Sequence, residues 1–219
     1  MIVTLNVPEA APPIEDAPFP IEIVRNERPL GFAANHNRAF RRVRSGKFAV
    51  LNPDLRLRQD PFPALARRLQ DPEVGLVAPV VLETDGRVSD YARRLVTPWE
   101  VIRRRITSSS YGNLLLHPDW LAGMFMGFRS EVFSRLGGFD ERYTLYCEDV
   151  DLCARVRLAG MQIAVASEID VVHNARRASR KSLRPLALHV RSLFQLWASP
   201  TYRDYRSFLK RERQAQYLP

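Results

Sequence analysis

Apolar and polar positions along this chain alternate in short blocks, some with the period of a strand and some with that of a helix. Met1–Val7 is a short apolar, strand-like segment, followed by a Pro- and acid-rich loop from Pro8 to Pro20. Ile21–Val24 predicts a second strand, and Gly31-Phe32-Ala33-Ala34 opens a helix to about Arg44, stopped by Ser45-Gly46. Phe48–Asn52 predicts a strand of the kind buried on both faces of an α/β sheet. Pro61 can start a helix with Leu65 and Leu69 inward and Arg67 and Arg68 outward. Val74–Leu82 is strand-forming, Asp85-Gly86 is a tight turn, and the polar stretch Arg87–Leu116 predicts only a helix near Trp99–Ile106. Leu121–Arg129 then predicts a strand, Ser130–Leu136 a helix stopped by Gly137-Gly138, Asp149–Ala159 an amphipathic helix stopped by Gly160, and Gln162–Val172 a last strand. This alternation predicts an α/β fold with a mostly parallel central sheet.

Beyond Ser182 the pattern changes. Leu183, Leu186, Val190, Leu193, Phe194 and Trp197 recur at helical spacing, with Arg184, His189 and Arg191 between them. Such a stripe either packs back on the domain, its more common fate, or lies on a membrane surface. We therefore expect a domain over residues 1–182 and a basic amphipathic helical tail over 183–219. A length of 219 residues allows one well-buried domain, or one with an appendage. Charge sharpens the division. Residues 173–219 carry eleven Lys/Arg against two Asp/Glu, so the whole net charge of +9 sits there and the first 172 residues balance. A basic tail suggests an anionic partner, such as an acidic membrane surface, nucleic acid or a phosphorylated substrate; a solvated helical face explains it equally well. No apolar run reaches the roughly 18 residues of a membrane span, and the first residues lack a basic leader. Cys147 and Cys153 fit no zinc spacing and make no disulfide framework, which points to a reducing, cytoplasmic setting.

Three places can carry chemistry. Asn52-Pro53-Asp54 follows the most apolar strand, at the carboxyl end where open α/β sheets bind ligands, and a carboxylate there can hold Mg²⁺ or Mn²⁺ on a diphosphate. Alone, Asn-Pro-Asp is only a turn signal. Glu148-Asp149 begins a helix just after Tyr143 and Tyr146; acidic residues there are ordinarily caps, but beside an acceptor hydroxyl one could serve as general base. His173 ends a strand, where a neutral imidazole is more often structural but can be a metal ligand opposite Asp54.

The order of the pieces is more specific than any one of them. Asn26, Gly31-Phe32-Ala33-Ala34-Asn35-His36-Asn37, Leu51-Asn52-Pro53-Asp54, Trp120-Leu121-Ala122-Gly123, Gly137-Gly138-Phe139-Asp140-Glu141, Glu148-Asp149-Val150-Asp151-Leu152-Cys153-Ala154-Arg155 and Val171-Val172-His173 together resemble the GT-A-fold family 2 glycosyltransferases, in particular their rhamnosyltransferase-like branch. The similarity runs from about Ile21 to about Ser182. It implies a three-layer α/β/α sandwich. It further implies an inverting transfer of a sugar, rhamnose among the candidates, from a dTDP- or UDP-linked donor to a glycan or lipid-linked acceptor in cell-surface polysaccharide synthesis. By the same resemblance Asp54 is the principal ligand of a divalent metal (Mg²⁺ or Mn²⁺), His173 completes its shell, and Asp149 is the general base supported by Glu148. Gly31, Asn35, Asn37, Asn52 and Asp54 then line the donor pocket, and Trp120 and Gly123 form the wall facing sugar and acceptor.

Members of the family normally begin with a further strand and helix, which implies an N-terminally shortened domain here. Leu5-Asn6-Val7-Pro8-Glu9 stands where Asp-Asn-x-Ser is usual, with Asn6 at the place of the nucleotide-reading aspartate. An exposed sheet edge would follow, open to a partner such as a homo-oligomer, and isolated activity is expected to be weak. A rival reading keeps the fold as a weakly active or inactive domain that binds carbohydrate or a partner. A nucleic-acid-binding protein is disfavoured by the absence of a recognised motif, and a nucleotidyltransferase by the absence of a Gly-rich phosphate loop. The tail would allow peripheral contact with the anionic inner face of the plasma membrane.

Overall fold

The most apolar segments of the chain pair with one another at its centre. In the computed structural model, which describes residues 1–95, 97–99, 117–174 and 183–215, five strands form the main sheet. These are β3 (Lys47–Leu51), β4 (Leu55–Leu57), β5 (Val74–Glu83), β8 (Phe125–Arg129) and β9 (Gln162–His173), in the order β3-β8-β5-β9-β4. Every residue of β5 from Val74 to Val81 is buried. Successive strand side chains point to opposite faces, so both faces of β5 are covered. The helices α2 (Phe62–Arg68) and α4 (Glu148–Leu158) pack on β5 and β9.

The α/β layering expected from the alternating pattern is present, but the sheet is mixed rather than mostly parallel. Only β5 and β9 run parallel, whereas β3–β8, β5–β8 and β4–β9 are antiparallel. Apolar periodicity reports burial, not direction. A three-residue turn separates β3 from β4, and Leu121–Arg129 is not one strand but β7 (Trp120–Leu121) and β8, parted at Ala122-Gly123-Met124. β7 pairs with β6 (Ala92–Arg93) in a ladder of its own. β1 (Ile2–Leu5) and β2 (Glu22–Arg25) form a separate parallel pair, which hydrogen-bonds to no other strand among the described residues. The helix expected near Trp99–Ile106 lies, after its first residue, outside the described residues.

Aromatic rings join several elements into one core. Phe133 of α3 (Ser130–Arg135) meets Phe40 of α1 (Phe32–Phe40), Phe48 of β3, Phe128 of β8 and Phe139, with centroids 4.7 to 5.4 Å apart and edge-on geometry. Such pairs contribute beyond their buried area. The segment after residue 182 forms α5 (Leu183–Ala198) and α6 (Pro200–Ala215). Leu193 and Leu196 of α5 and Tyr202, Tyr205 and Leu209 of α6 belong to the same buried cluster as β5. The apolar stripe is therefore divided: Leu193 and Leu196 face the core, while Val190 and Phe194 face solvent.

Leu196 is 1% exposed. Leu196→Ala should destabilise the protein by about 2–5 kcal/mol, the usual cost of a cavity left by a buried leucine. Urea unfolding measures this, and a loss below about 1 kcal/mol would mean that α5 is not integral to the fold.

Candidate active site

The site is built around the first turn of α4. Tyr146 (φ 69°) and Cys147 (φ 71°) precede it, the two non-glycine residues with positive φ among those described. Left-handed geometry costs roughly 1–3 kcal/mol at each such residue and persists only where the surroundings enforce it. It delivers Glu148 and Asp149 into the interior. Asp149 accepts two backbone hydrogen bonds, from Gly123 N–H to Oδ2 (3.0 Å) and from Val150 N–H to Oδ1 (2.8 Å). Glu148 is 5% exposed, and its Oε2 is buried without a partner.

Burial, and then the Asp149 charge beside it, push the Glu148 carboxyl up to about 8. Burial also raises Asp149, against the opposing pull of the Gly123 and Val150 amides and the Arg93 guanidinium. The two groups compete for one proton. The two N–H donors and the helix N-terminus favour charge on Asp149, so the proton resides on Glu148 near neutral pH. Asp151, two residues on, is buried too, but Arg155 answers it at 2.7 Å and then donates to the Leu136 carbonyl. That pair is structural.

The second half of the site comes from strand register. β4 and β9 pair with Leu55 opposite His173, which sets Asp54, the residue before Leu55, beside the imidazole. His173 Nε2 lies 3.3 Å from Asp54 Oδ2, and Asn174 N–H donates to the Asp54 carbonyl at 2.9 Å. Asp54 Oδ1 and His173 Nδ1 are both buried without hydrogen-bond partners. Unsatisfied buried polar atoms are rare and usually mark an ion or ligand position. One carboxylate and one imidazole suit a divalent ion that keeps its other positions for water and phosphate oxygens. No cluster of three or more such side chains occurs among the described residues, so the donors present fit that kind of ion and not an all-protein cage.

A cavity of about 520 Å³ connects the two halves. Asn52, Trp120, Gly123, Glu148, Asp149 and His173 all line it. So do Phe32, Arg93, Tyr146 and His189, which the sequence did not single out. Arg93 is held by Asp90 at 2.9 Å and lies over the Trp120 ring, 4.9 Å from its centroid. Its only sequence signal was its place in an arginine-rich stretch without periodicity. His189 of α5 stacks on Tyr146 with centroids 4.6 Å apart, and burial followed by the Arg93 charge lowers its proton affinity, so it is neutral. It fell within the tail stripe as one of several polar residues. Gly123 sits at a close approach: a Cβ there would lie 3.2 Å from the Phe32 ring, which would have to shift.

The remaining expected donor residues do not line the cavity. A Cβ on Gly31 would overlap the Thr144 carbonyl oxygen, whose acceptance of the Phe32 N–H ties the start of α1 to the loop before α4. Asn35 accepts from Asn26 at 2.7 Å and donates to the Leu30 carbonyl. Asn37 exchanges hydrogen bonds with the Phe139 backbone at 2.8 and 2.9 Å. Asn6 does the same with Leu30, at 3.1 and 2.8 Å.

The family model for "Glycosyl transferase family 2" matches residues 4–137, more than half of the chain. The chain is similar to the rhamnosyltransferase WbbL of Escherichia coli, with 36% identity over 91 residues, 41% of this chain and 34% of the relative. It is also similar to the N-acetylglucosaminyl-diphospho-decaprenol L-rhamnosyltransferase of Mycobacterium tuberculosis, with 30% identity over 164 residues, 66% of this chain and 52% of the relative. It thus spans about a third to a half of the length of these curated relatives. Among solved structures, GalNAc-T7 with UDP, GalNAc and Mn²⁺ superposes at a TM-score of 0.54 and 16% identity, over 71% of this chain and 32% of that one. This likeness shows the fold, the GT-A arrangement expected from the motif order.

A carboxyl group whose proton affinity rises on folding stabilises the protein below its unfolded pKa, and that stability is lost as pH rises through the folded value. The contribution of Glu148 is therefore full below about 4.5 and fades up to about 8. Glu148→Gln should flatten this decline. Melting curves at pH 5 and pH 9 should show the variant gaining on the wild type at the higher pH by roughly 2–4 °C per kcal/mol relieved. An equal offset at both values would place the proton elsewhere.

Proposed function

Since this chain belongs to glycosyl transferase family 2, we propose that its cavity transfers a sugar from a nucleoside-diphosphate donor to a hydroxyl of a glycan or lipid-linked acceptor, inverting the configuration at C1. The observation that carries this reading is one cavity holding an amide-bound carboxylate, Asp149, together with His173 of the Asp54–His173 pair.

Asp149 accepts the proton of the acceptor hydroxyl as its oxygen bonds to C1 and the C1–O bond to the diphosphate breaks. The backbone amides of Gly123 and Val150 hold the carboxylate in place for this, while burial raises its affinity for a proton. Glu148, carrying its own proton, leaves Asp149 as the one charged carboxylate of the pair. Asp54 and His173 would hold a divalent cation, Mg²⁺ or Mn²⁺, which supplies positive charge to the departing diphosphate. The Trp120 ring, backed by Arg93, offers the sugar an apolar wall and excludes water.

The finer assignment is rhamnose on a dTDP or UDP carrier, in cell-surface polysaccharide synthesis, and it draws support from the similarity to two rhamnosyltransferases. The acceptor would then be met at the cytoplasmic face of a membrane. No helix among the described residues is long and apolar enough to cross one. A second reading, a carbohydrate- or partner-binding domain of low turnover, is favoured by Asn6, whose amide is committed to the Leu30 backbone and not to a nucleotide base. In that case the separate β1–β2 pair would be completed by another copy of the chain.

Thermal-shift titration with UDP, dTDP and their sugar conjugates, with and without Mn²⁺, tests the proposal. Ligand at about 100 times its Kd should stabilise the fold by roughly 2.7 kcal/mol. Asp54→Ala should remove the metal-dependent part of that shift. Asp149→Asn should keep the shift and lower turnover by about 10²–10⁴-fold. No Mn²⁺-dependent shift with any nucleotide would leave the binding-domain reading standing in its place.

A further inference from the structure

The ladder of β6 and β7 separates two different recesses. Arg93 and Trp120, which face each other in its register, line the cavity described above. The adjoining residues Arg94 and Asp119 line a wider groove of about 1410 Å³ on the other side, walled by α6. Neighbouring residues of an extended strand point to opposite faces, so the two recesses share a wall but not side chains.

The groove is basic by construction. Arg94, Arg203, Arg206, Lys210 and Arg213 line it, against the single carboxylate of Asp119. Asp119 is 3% exposed and its charge is already answered, by Arg213 at 2.6 Å, Arg94 at 3.4 Å and the Leu95 N–H at 2.6 Å. It fixes two of the cations in place and neutralises none of the rest. Arg203, Arg206 and Lys210 have no acidic partner among the described residues and stand three and four residues apart on one face of α6. Like charges at that spacing repel and destabilise a helix, so the stripe lowers stability unless an anion lies along it.

The surroundings indicate which anion. No aromatic ring is among the described lining residues, so a nucleic acid would find no succession of base-stacking rings along the groove. The apolar contributions are Leu95 and Leu209. Trp99 is two residues on from Thr97, a lining residue, hence within about 7 Å of it along the chain. It is 71% exposed. An exposed tryptophan beside four arginines and a lysine is the chemistry of a membrane interface, where the indole enters the headgroup layer and the cations meet phosphate.

We infer that the groove between α6 and the β6–β7 ladder binds the phosphate-bearing headgroups of an anionic bilayer, and so fixes how the protein sits on its membrane. The inference rests on the proposed function only in taking a membrane surface as the place of work. Its test uses no nucleotide or sugar, so the two can fail separately.

The experiment is co-sedimentation of the whole chain with phosphatidylcholine vesicles, with and without phosphatidylglycerol. Wild type should bind only the anionic vesicles, and salt should weaken the binding. Arg206→Glu with Lys210→Glu should reduce it at least about tenfold, with the melting temperature not lowered and the Mn²⁺-dependent nucleotide shift unchanged. If that variant folds poorly, Arg206→Gln with Lys210→Gln should give a smaller loss in the same direction, and Trp99→Ala should remove the part of the binding that resists salt. Vesicle binding equal to wild type in the charge variants would overturn the inference. So would displacement of bound vesicles by inorganic pyrophosphate at micromolar concentration, which would make the groove a small-phosphate site. Tighter binding of an RNA oligonucleotide than of vesicles, lost in the same variants, would overturn it in favour of nucleic acid.

Discussion

Burying an acidic helix start inside an apolar core is the constraint on which the rest of this molecule turns. Glu148, Asp149 and Asp151 enter the interior on one turn of α4, where each ionised carboxylate would be costly unless answered. Each is answered differently: Asp151 by Arg155, Asp149 by two backbone amides, and Glu148 by keeping its proton. The answers recruit distant parts of the chain. Gly123 brings its N–H to Asp149 close against the Phe32 ring, and Arg155 reaches on to the carbonyl closing α3. The left-handed turn at Tyr146 and Cys147 is held by its neighbours: Gly31 packs on Thr144, Tyr146 stacks on His189, and the Leu145 carbonyl accepts from Ser192. Packing of α5 and strain at the site are thus one problem solved together.

What was legible in the sequence was whatever depended on local pattern. Glu148-Asp149 precedes a periodic stretch, and His173 ends a strand whose apolar run is unmistakable; the structure puts both on one cavity. The family followed from the order of short motifs, each weak alone. Strand direction was not legible, because Val74–Leu82 and Phe125–Phe128 have the same apolar signature whichever way they run. Nor were β4 and β6, at three and two residues, since elements that short carry no period. Arg93 became visible only once its ladder partner Trp120 was placed.

The expected donor-side residues illustrate a different limit. Asn6, Asn26, Asn35 and Asn37 are polar, clustered and close to a glycine, all of which suits ligand binding. In the fold Asn6 and Asn35 bond the Leu30 backbone, Asn26 links their two side chains, and Asn37 bonds the Phe139 backbone. An asparagine amide imitates a peptide group, donor and acceptor side by side, and a sequence does not distinguish an amide that bonds a ligand from one that mends a loop.

The cavity wall draws on Phe32 of α1 at one end of the chain and Leu193 of α5 towards the other, with strands and loops between. No fragment shorter than residues 32–193 contains all of its lining. Contacts so far apart in sequence form late, after most of the loop-closure entropy has been met. During synthesis, then, the acidic turn of α4 emerges well before the helix that covers it, and the pocket comes into being only when α5 has left the ribosome and docked.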